Sequence, residues 1–359
     1  MNGMALLGIG TAVPPHSIRQ GDAAEITQAL TCSTEEESQY YRDVYHAVGV
    51  ETRHSAILDA PDGDLAARQS FYAADSPTTA ARMRRYESEA SGLAVEAGRK
   101  ALEDARIAPD RITHVVTVTC SGFYAPGLDV ALIKRLGLRR SVERTQIGFM
   151  GCHGAINGLR VARAIVGADP SACVLVCCAE LCSLHHQYDF DPSTIIANAL
   201  FADGAAAVVC AAGDESDKAA YRVAATGSTL VDDSEDVMSW RIGDHGFAMT
   251  LSAKVPKLIA RHLQPWLDGW LGSHGLGVAN VAAWAVHPGG PRILTAFSEA
   301  TGVGREGVEA SYRVLARYGN MSSPTVLFVL DELRKAGAPR PCVAMAFGPG
   351  LAVEAALLA

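Results

Sequence analysis

Three pairs of similar segments recur along this chain at almost one spacing, which limits the folds open to it. Strand-like ITHVVTVTC ends at Cys120, and strand-like VAAWAVH ends at His287. GFMGCHGAINGLRVA places Cys152 at a strand–turn–helix junction, and YGNMSSPTVLFVLDEL places Asn320 at a similar turn. CVLVCCAEL starts at Cys173 and CVAMAFGPGL at Cys342. The offsets within the three pairs are 167, 168 and 169 positions. Ordinary α/β alternation also repeats strand–loop–helix units, so both readings stand, but a nearly constant shift favours two topologically similar halves.

A doubled α/β unit predicts five layers, αβαβα, with helices outside and between two sheets. Matching strand ends of the halves then converge on one site, and Cys152, His287 and Asn320 occupy such ends. The N-terminal half, residues 1–212, carries the cysteine. The C-terminal half, residues 213–359, carries the histidine and asparagine. Gly213–Lys218 (GDESDK), opened by a glycine and dense in charge, is the expected hinge. Residues of about 30–90 are polar and helix-prone, with no clear strand, and read as an insertion or cap.

Short β-branched or small apolar runs predict buried strands at Met4–Ile9, His114–Thr119, Thr145–Phe149, Cys173–Cys178, Ala205–Val209, Ala282–Val286 and Pro341–Ala346. Apolar residues at three- and four-residue spacing predict helices at Ser88–Leu102, Ala155–Val166, Val255–Leu271 and Pro324–Lys335.

A formal charge of −8 argues against a general nucleic-acid partner, which needs a basic face for the phosphates. A single anionic cofactor needs only a local basic patch. The N-terminus has no basic residue before its short apolar run and reaches Pro14 and Pro15 early, unlike a signal peptide. No stretch approaches the ~20 apolar residues of a membrane span. A cytoplasmic location is therefore expected, with the nine cysteines mostly reduced. Cys177, Cys178, Cys182, His185 and His186 cluster in VCCAELCSLHH, but adjacent strand residues face opposite ways and no paired CxxC occurs. Small apolar strand residues explain that cluster, and no metal is expected.

Cys152 is flanked by Gly151 and Gly154, which permit a sharp turn between strand and helix. A helix starting there favours thiolate and predicts a lowered thiol pKa, although a buried structural cysteine fits the same pattern. His287 ends an apolar strand before PGGP, where an imidazole can take a thiol proton or donate to an oxyanion; a satisfied core histidine is equally compatible. Asn320 follows Gly319 at a helix start, where an N-cap is the ordinary role. Its amide can instead donate to a thioester carbonyl or an enolate oxygen. An amide is no general base, so this set suits carbanion stabilisation better than water activation.

Together CSGFYAPGLD, GFMGCHGAINGLRVA, NALFADGAAAVV, WAVHPGGPRIL, RYGNMSSPTVLFVLDEL and AFGPGLAVE make nearly the whole chain resemble the chalcone synthase-like, or type III polyketide synthase, family of the thiolase fold. The resemblance implies a homodimer with a catalytic triad of Cys152, His287 and Asn320. It also implies acyl transfer from coenzyme A thioesters (malonyl-CoA onto an acyl-CoA starter) with no permanently bound cofactor. Phe201 matches a gatekeeper between the coenzyme tunnel and the cavity, and Met249 stands where a second gatekeeper phenylalanine is expected. Cys120, Cys182, Ser322, Gly348 and Pro349 fall at pocket positions. Trp240 replaces a glycine of the plant enzymes and is expected to fill the space of a coumaroyl group, favouring an aliphatic or small starter. Arg42 and Arg53 are candidates for gripping coenzyme phosphates, in a segment that matches the family poorly. The competing readings are a carrier-protein-dependent condensing enzyme, or acyltransferase, of the same fold and a cysteine hydrolase. GFMGCHG lacks the glycine two residues before the nucleophile that the hydrolase would need.

Overall fold

The computed structural model describes residues 3–72, 76–213 and 220–359. The expected hinge lies almost wholly outside them. In chain order the first part contains β1 (Met4–Ala12), β2 (Ser17–Arg19), α1 (Gln20–Thr31), α2 (Glu35–Ala47), β3 (Thr52–His54), α3 (Thr79–Ala105), β4 (His114–Thr119) and α4 (Leu128–Leu136). It continues through β5 (Glu143–Gly148), α5 (Gly154–Ala168), β6 (Cys173–Leu181), α6 (Pro192–Leu200) and β7 (Asp203–Ala212). Then follow β8 (Tyr221–Leu230), the hairpin β9 (Met238–Gly243) and β10 (Gly246–Leu251), α7 (Val255–Gly272) and β11 (Ala283–Val286). The chain ends with α8 (Pro291–Thr301), α9 (Glu309–Tyr318), α10 (Thr325–Lys335), β12 (Cys342–Gly348) and β13 (Ala352–Leu358).

Among the described residues, nine strands form one sheet in the order β11-β12-β13-β8-β1-β7-β6-β4-β5. Outward from its middle, β1-β7-β6-β4 is answered by β8-β13-β12-β11. Each run is antiparallel, antiparallel, then parallel. The two arms meet only where Met4, Ala5 and Leu6 pair with Val223, Arg222 and Tyr221. The expected two sheets are thus joined by a narrow seam.

Side-chain alternation along the strands builds the layers. On β6, Val174, Val176 and Cys178 pack with Ile156 and Leu159 of α5 and with Leu327 and Val329 of α10. Cys173, Leu175 and Cys177 face the other way, against Ala94 of α3 and Leu132 of α4. On β12, Ala344 and Ala346 join the α5–α10 layer, whereas Val343 and Met345 meet Leu267 of α7 and Phe297 of α8. This is a five-layered, thiolase-like α/β fold, with α5 and α10 sandwiched between the arms. Buried Ala90, Ala94, Ala97 and Ala101 recur along α3 and let it lie close on the sheet.

Several expectations need correction. Within the cap, Thr52–His54 is a strand paired with Ser17–Arg19, and from Thr79 onward the chain is already α3, a core helix. Strand β5 is an exposed edge rather than a buried strand. Strands β8, β9, β10 and β13 escaped the sequence pattern; β13, AVEAALL, is rich in alanine, which has little strand preference. No helix among the described residues is long and apolar enough to cross a membrane.

Candidate active site

Two turns of similar backbone shape carry Cys152 and Asn320. Gly151 and Gly319, each immediately before, both have φ of +70°, a region that favours glycine. Phe149 at +56° and Ser322 at +58° add strained backbone to each turn, a feature that concentrates at functional sites. Cys152 sits in a 3₁₀ turn, Gly151–His153, leading into α5, and its side chain is buried. Its Sγ donates toward Asn320 Oδ1 across 4.0 Å. The backbone N–H of Ser322 also donates to that oxygen, at 2.8 Å. A backbone N–H can only donate, so the oxygen of the Asn320 amide is fixed here and Nδ2 remains free among the described residues. Asn320 is no N-cap: α10 starts five residues later, behind Pro324.

His287 continues β11 through its N–H to Met345 O at 2.7 Å and is then stopped by Pro288. The residue is 1% exposed, and among the described residues neither ring nitrogen has a hydrogen-bond partner. Burial, aided by the field of His153, pushes its pKa down to about 3. Burial also pushes the Cys152 thiol up to about 11, against a hydrogen bond from the Ser322 side chain that favours the thiolate. The sequence expectation of a lowered thiol pKa is therefore overturned, because loss of water outweighs the start of the helix.

Gly348 and Pro349 interlock with the nucleophile turn. A Cβ on Gly348 would lie 2.3 Å from His153 Cδ2, and one on Gly151 would lie 2.6 Å from Pro349 Cδ. Cys120, at the end of β4, places its Sγ 3.4 Å from Ser322 Oγ and 3.4 Å from Glu180 Oε1. Glu180 was missed from sequence, although an acid inside the apolar run CVLVCCAEL is a signal that could have found it. Its fully buried carboxylate accepts from Ser121 Oγ (2.5 Å), Ser323 Oγ (2.6 Å) and the N–H groups of Cys120 and Ser121 (3.0 Å each). Burial pushes that carboxyl up while those hydrogen bonds pull it down.

Trp240 donates from Nε1 to Cys120 O at 2.8 Å and stands edge-on to His185 and Phe247. Phe201 forms a single parallel bridge with Asn320. Phe201, Trp240, Cys182 and Met249 line a cavity. Cys152, His287 and Asn320 are not among its lining residues, so it lies beside the triad rather than over it. Arg42 lies on the exposed face of α2, bound to Glu35 and Gln39, and does not line the cavity. Arg53 does line it but is buried, unlike a surface grip for hydrated phosphates.

Comparison with known proteins places these features. Residues 2–214 match the N-terminal domain, and residues 222–359 the C-terminal domain, of chalcone and stilbene synthases. The chain belongs to the chalcone and stilbene synthase family. This type III polyketide synthase is 33% identical to alpha-pyrone synthesis polyketide synthase-like Pks18 of Mycobacterium tuberculosis, over 98% of this chain and 89% of that protein. It is 34% identical to 1,3,6,8-tetrahydroxynaphthalene synthase of Streptomyces peucetius subsp. caesius, over 99% and 93%. Polyketide synthase PKS-I of the brown alga Ectocarpus siliculosus superposes with a TM-score of 0.94 at 32% identity, covering 100% of this chain and 98% of that one. The polyketide synthase is thus an acyl-transferring enzyme, and the carrier-protein-dependent alternative is not favoured.

Proposed function

We propose that Cys152, His287 and Asn320 are the catalytic triad and that the substrates are malonyl-CoA and an acyl-CoA starter. As the starter binds, His287 takes the proton from Cys152 Sγ, the sulfur attacks the thioester carbonyl, and coenzyme A leaves with that proton. Malonyl-CoA then loses carbon dioxide, and its enolate oxygen accepts hydrogen bonds from His287 and from Asn320 Nδ2. The enolate carbon attacks the Cys152 thioester; the new C–C bond forms as the C–S bond breaks, and the chain is two carbons longer. A thiolate suits both roles because it attacks well and leaves readily. Repetition and cyclisation give a pyrone or a phenolic ring.

The observation that carries this reading is the meeting of Cys152 Sγ and Asn320 Oδ1, 168 residues apart in sequence, with the amide nitrogen left free. The halves divide at residues 212 and 213. We also assign a homodimer, formed over the open edge of β5, where Phe123 and Met150 are each 37% exposed, and a cytoplasmic location. Wild type and Cys152→Ala incubated with malonyl-CoA and a panel of acyl-CoA starters, read by mass spectrometry, test the triad. Wild type should yield starter-plus-ketide products and the variant none. A fully active variant removes Cys152 from the mechanism.

A further inference from the structure

The residue next to the nucleophile is a histidine that the condensation chemistry leaves unused. His153 closes the 3₁₀ turn of Cys152 and is buried. Its Nδ1 lies 2.7 Å from Asn157 Oδ1 on α5. Asn157 Nδ2 donates in turn to Glu354 Oε1 on β13, at 3.3 Å. The buried Glu354 carboxylate also accepts from Ser228 Oγ at 2.8 Å and forms an ion pair with Arg160. A carboxylate in an ion pair only accepts, so the Asn157 N–H₂ must face it and the amide oxygen must face His153. That oxygen also only accepts, which puts a proton on Nδ1 and leaves Nε2 as the nitrogen that takes another. His287 has no such backing, since neither ring nitrogen has a partner among the described residues. Burial lowers the pKa of both rings, but the Asn157 bond and the Glu354 carboxylate pull that of His153 back up, against Arg160. The field of His153 lowers that of His287 further. The groups around His153 are thus Asn157 and Arg160 from α5, Glu354 from β13 and His287 after β11, with Cys152 beside it in the turn. Gly348, at the end of β12 and close against the ring, brings no charge.

We propose that His153 is a positioning residue that holds the site's extra proton: the two imidazoles accept one between them, it settles on His153 Nε2, and His287 stays uncharged. His153 acts through His287 and not on substrate, because a second positive charge beside the first is opposed by repulsion. The place of that proton stands on the hydrogen-bond chain alone. Its consequence, that His287 remains free in mild acid to take the Cys152 proton, rests on the condensation mechanism proposed above.

Nitrogen-15 NMR of the intact protein, labelled in its histidine rings, reads both sites without any substrate. His153→Gln and His287→Gln assign the signals, and His153→Phe replaces the first should it not fold. In wild type at neutral pH, His153 should carry its proton on Nδ1, and as pH falls its Nε2 should charge before His287 does. The Gln side chain at 153 can keep the bond to Asn157 but cannot charge, so in that variant His287 should charge at least ~1 pH unit higher than in wild type, the scale on which two sites titrate as a pair. Asn157→Leu cuts the tie to Glu354 and should lower the pH at which His153 charges. An Nε2–H tautomer in wild type, or a His153 that stays neutral down to acid unfolding, overturns the proposal. So does a His287 that charges at the same pH with and without His153, or in neither protein before unfolding. Starter loading, read as acyl-Cys152 by mass spectrometry across pH, tests the consequence. Wild type should load ~10-fold faster than His153→Gln about one pH unit below the variant's midpoint, whereas a purely structural role would slow the variant equally at every pH. A variant that outlasts wild type in acid would mean that charged His153 blocks His287, and the proposal fails. No loading of wild type at any pH, with the NMR result as expected, sinks the triad and leaves the shared proton standing.

Discussion

The two arms of the sheet follow one plan until they reach the site, and there they part. In the first arm β5 extends the sheet beyond β4 and runs into the turn of Cys152. In the second, no strand extends the sheet beyond β11 among the described residues. The equivalent stretch instead docks on the other arm: Asn320 N donates to Leu200 O and Asn320 O accepts from Ala202 N, both at 2.9 Å. That departure carries Asn320 across to Cys152. Repetition of the unit supplies the frame, and its local failure assembles the chemistry.

The inner strands sharpen the comparison most, because both arms press a glycine against an outer helix but against different atoms. A Cβ on Gly10 of β1 would lie 2.2 Å from Ala97 O and 2.3 Å from Ala101 N, which are backbone of α3. A Cβ on Gly227 of β8 would lie 2.6 Å from Trp270 Nε1, a side chain of α7 that can shift. Gly10→Ala should therefore cost roughly 3 kcal/mol or more, and Gly227→Ala about 1 kcal/mol, in urea unfolding. Equal losses would mean that the two helix–sheet contacts are equally compliant and would erase this difference between the arms.

Much of this plan was legible in the residues, for identifiable reasons. The strand at His114–Thr119 begins and ends where its β-branched run does, since a buried parallel strand has no polar face to blur its limits. The paired turns showed themselves through glycines that backbone geometry requires. What stayed hidden depends on neighbours distant in sequence. Glu180 takes its meaning from donors on Ser121 and Ser323, and Arg53 from being covered by α6 and the Phe201 loop. The thiol of Cys152 was misjudged because the pull of a helix start is visible in sequence, whereas loss of water around the sulfur is not.

The ends of β6 and β12 offer a second contrast. The first carries a buried acid, Glu180, one residue before its end, and the second ends in apolar Phe347 and Gly348. The donors that Glu180 gathers include two backbone N–H groups, of Cys120 and Ser121, that cannot reverse. Glu180→Gln offers only one accepting oxygen and turns an N–H₂ toward those donors, which should cost about 1–3 kcal/mol in urea unfolding. A neutral result would mean that the carboxyl is already protonated and acts as a donor there.

A third contrast separates the arms by pH, because the second arm's His287 and the first arm's Cys152 resist opposite charges. His287 is held neutral with its pKa down at about 3, below an ordinary histidine value near 6.5. Its contribution to stability is therefore complete above roughly pH 6.5 and is lost as pH falls toward 3. Cys152 is held neutral with its pKa up at about 11, so its contribution is complete below the ordinary thiol value and is lost as pH rises toward 11. His287→Gln should flatten the acid limb of the melting temperature against pH, and Cys152→Ala the alkaline limb. His185 and His186 are also pushed to about 3 by burial, so removing His287 should relieve only roughly a third of the acid loss these three share. An acid limb unchanged in His287→Gln would mean that the imidazole meets water, or a counter-charge, that lets it ionise in the folded protein.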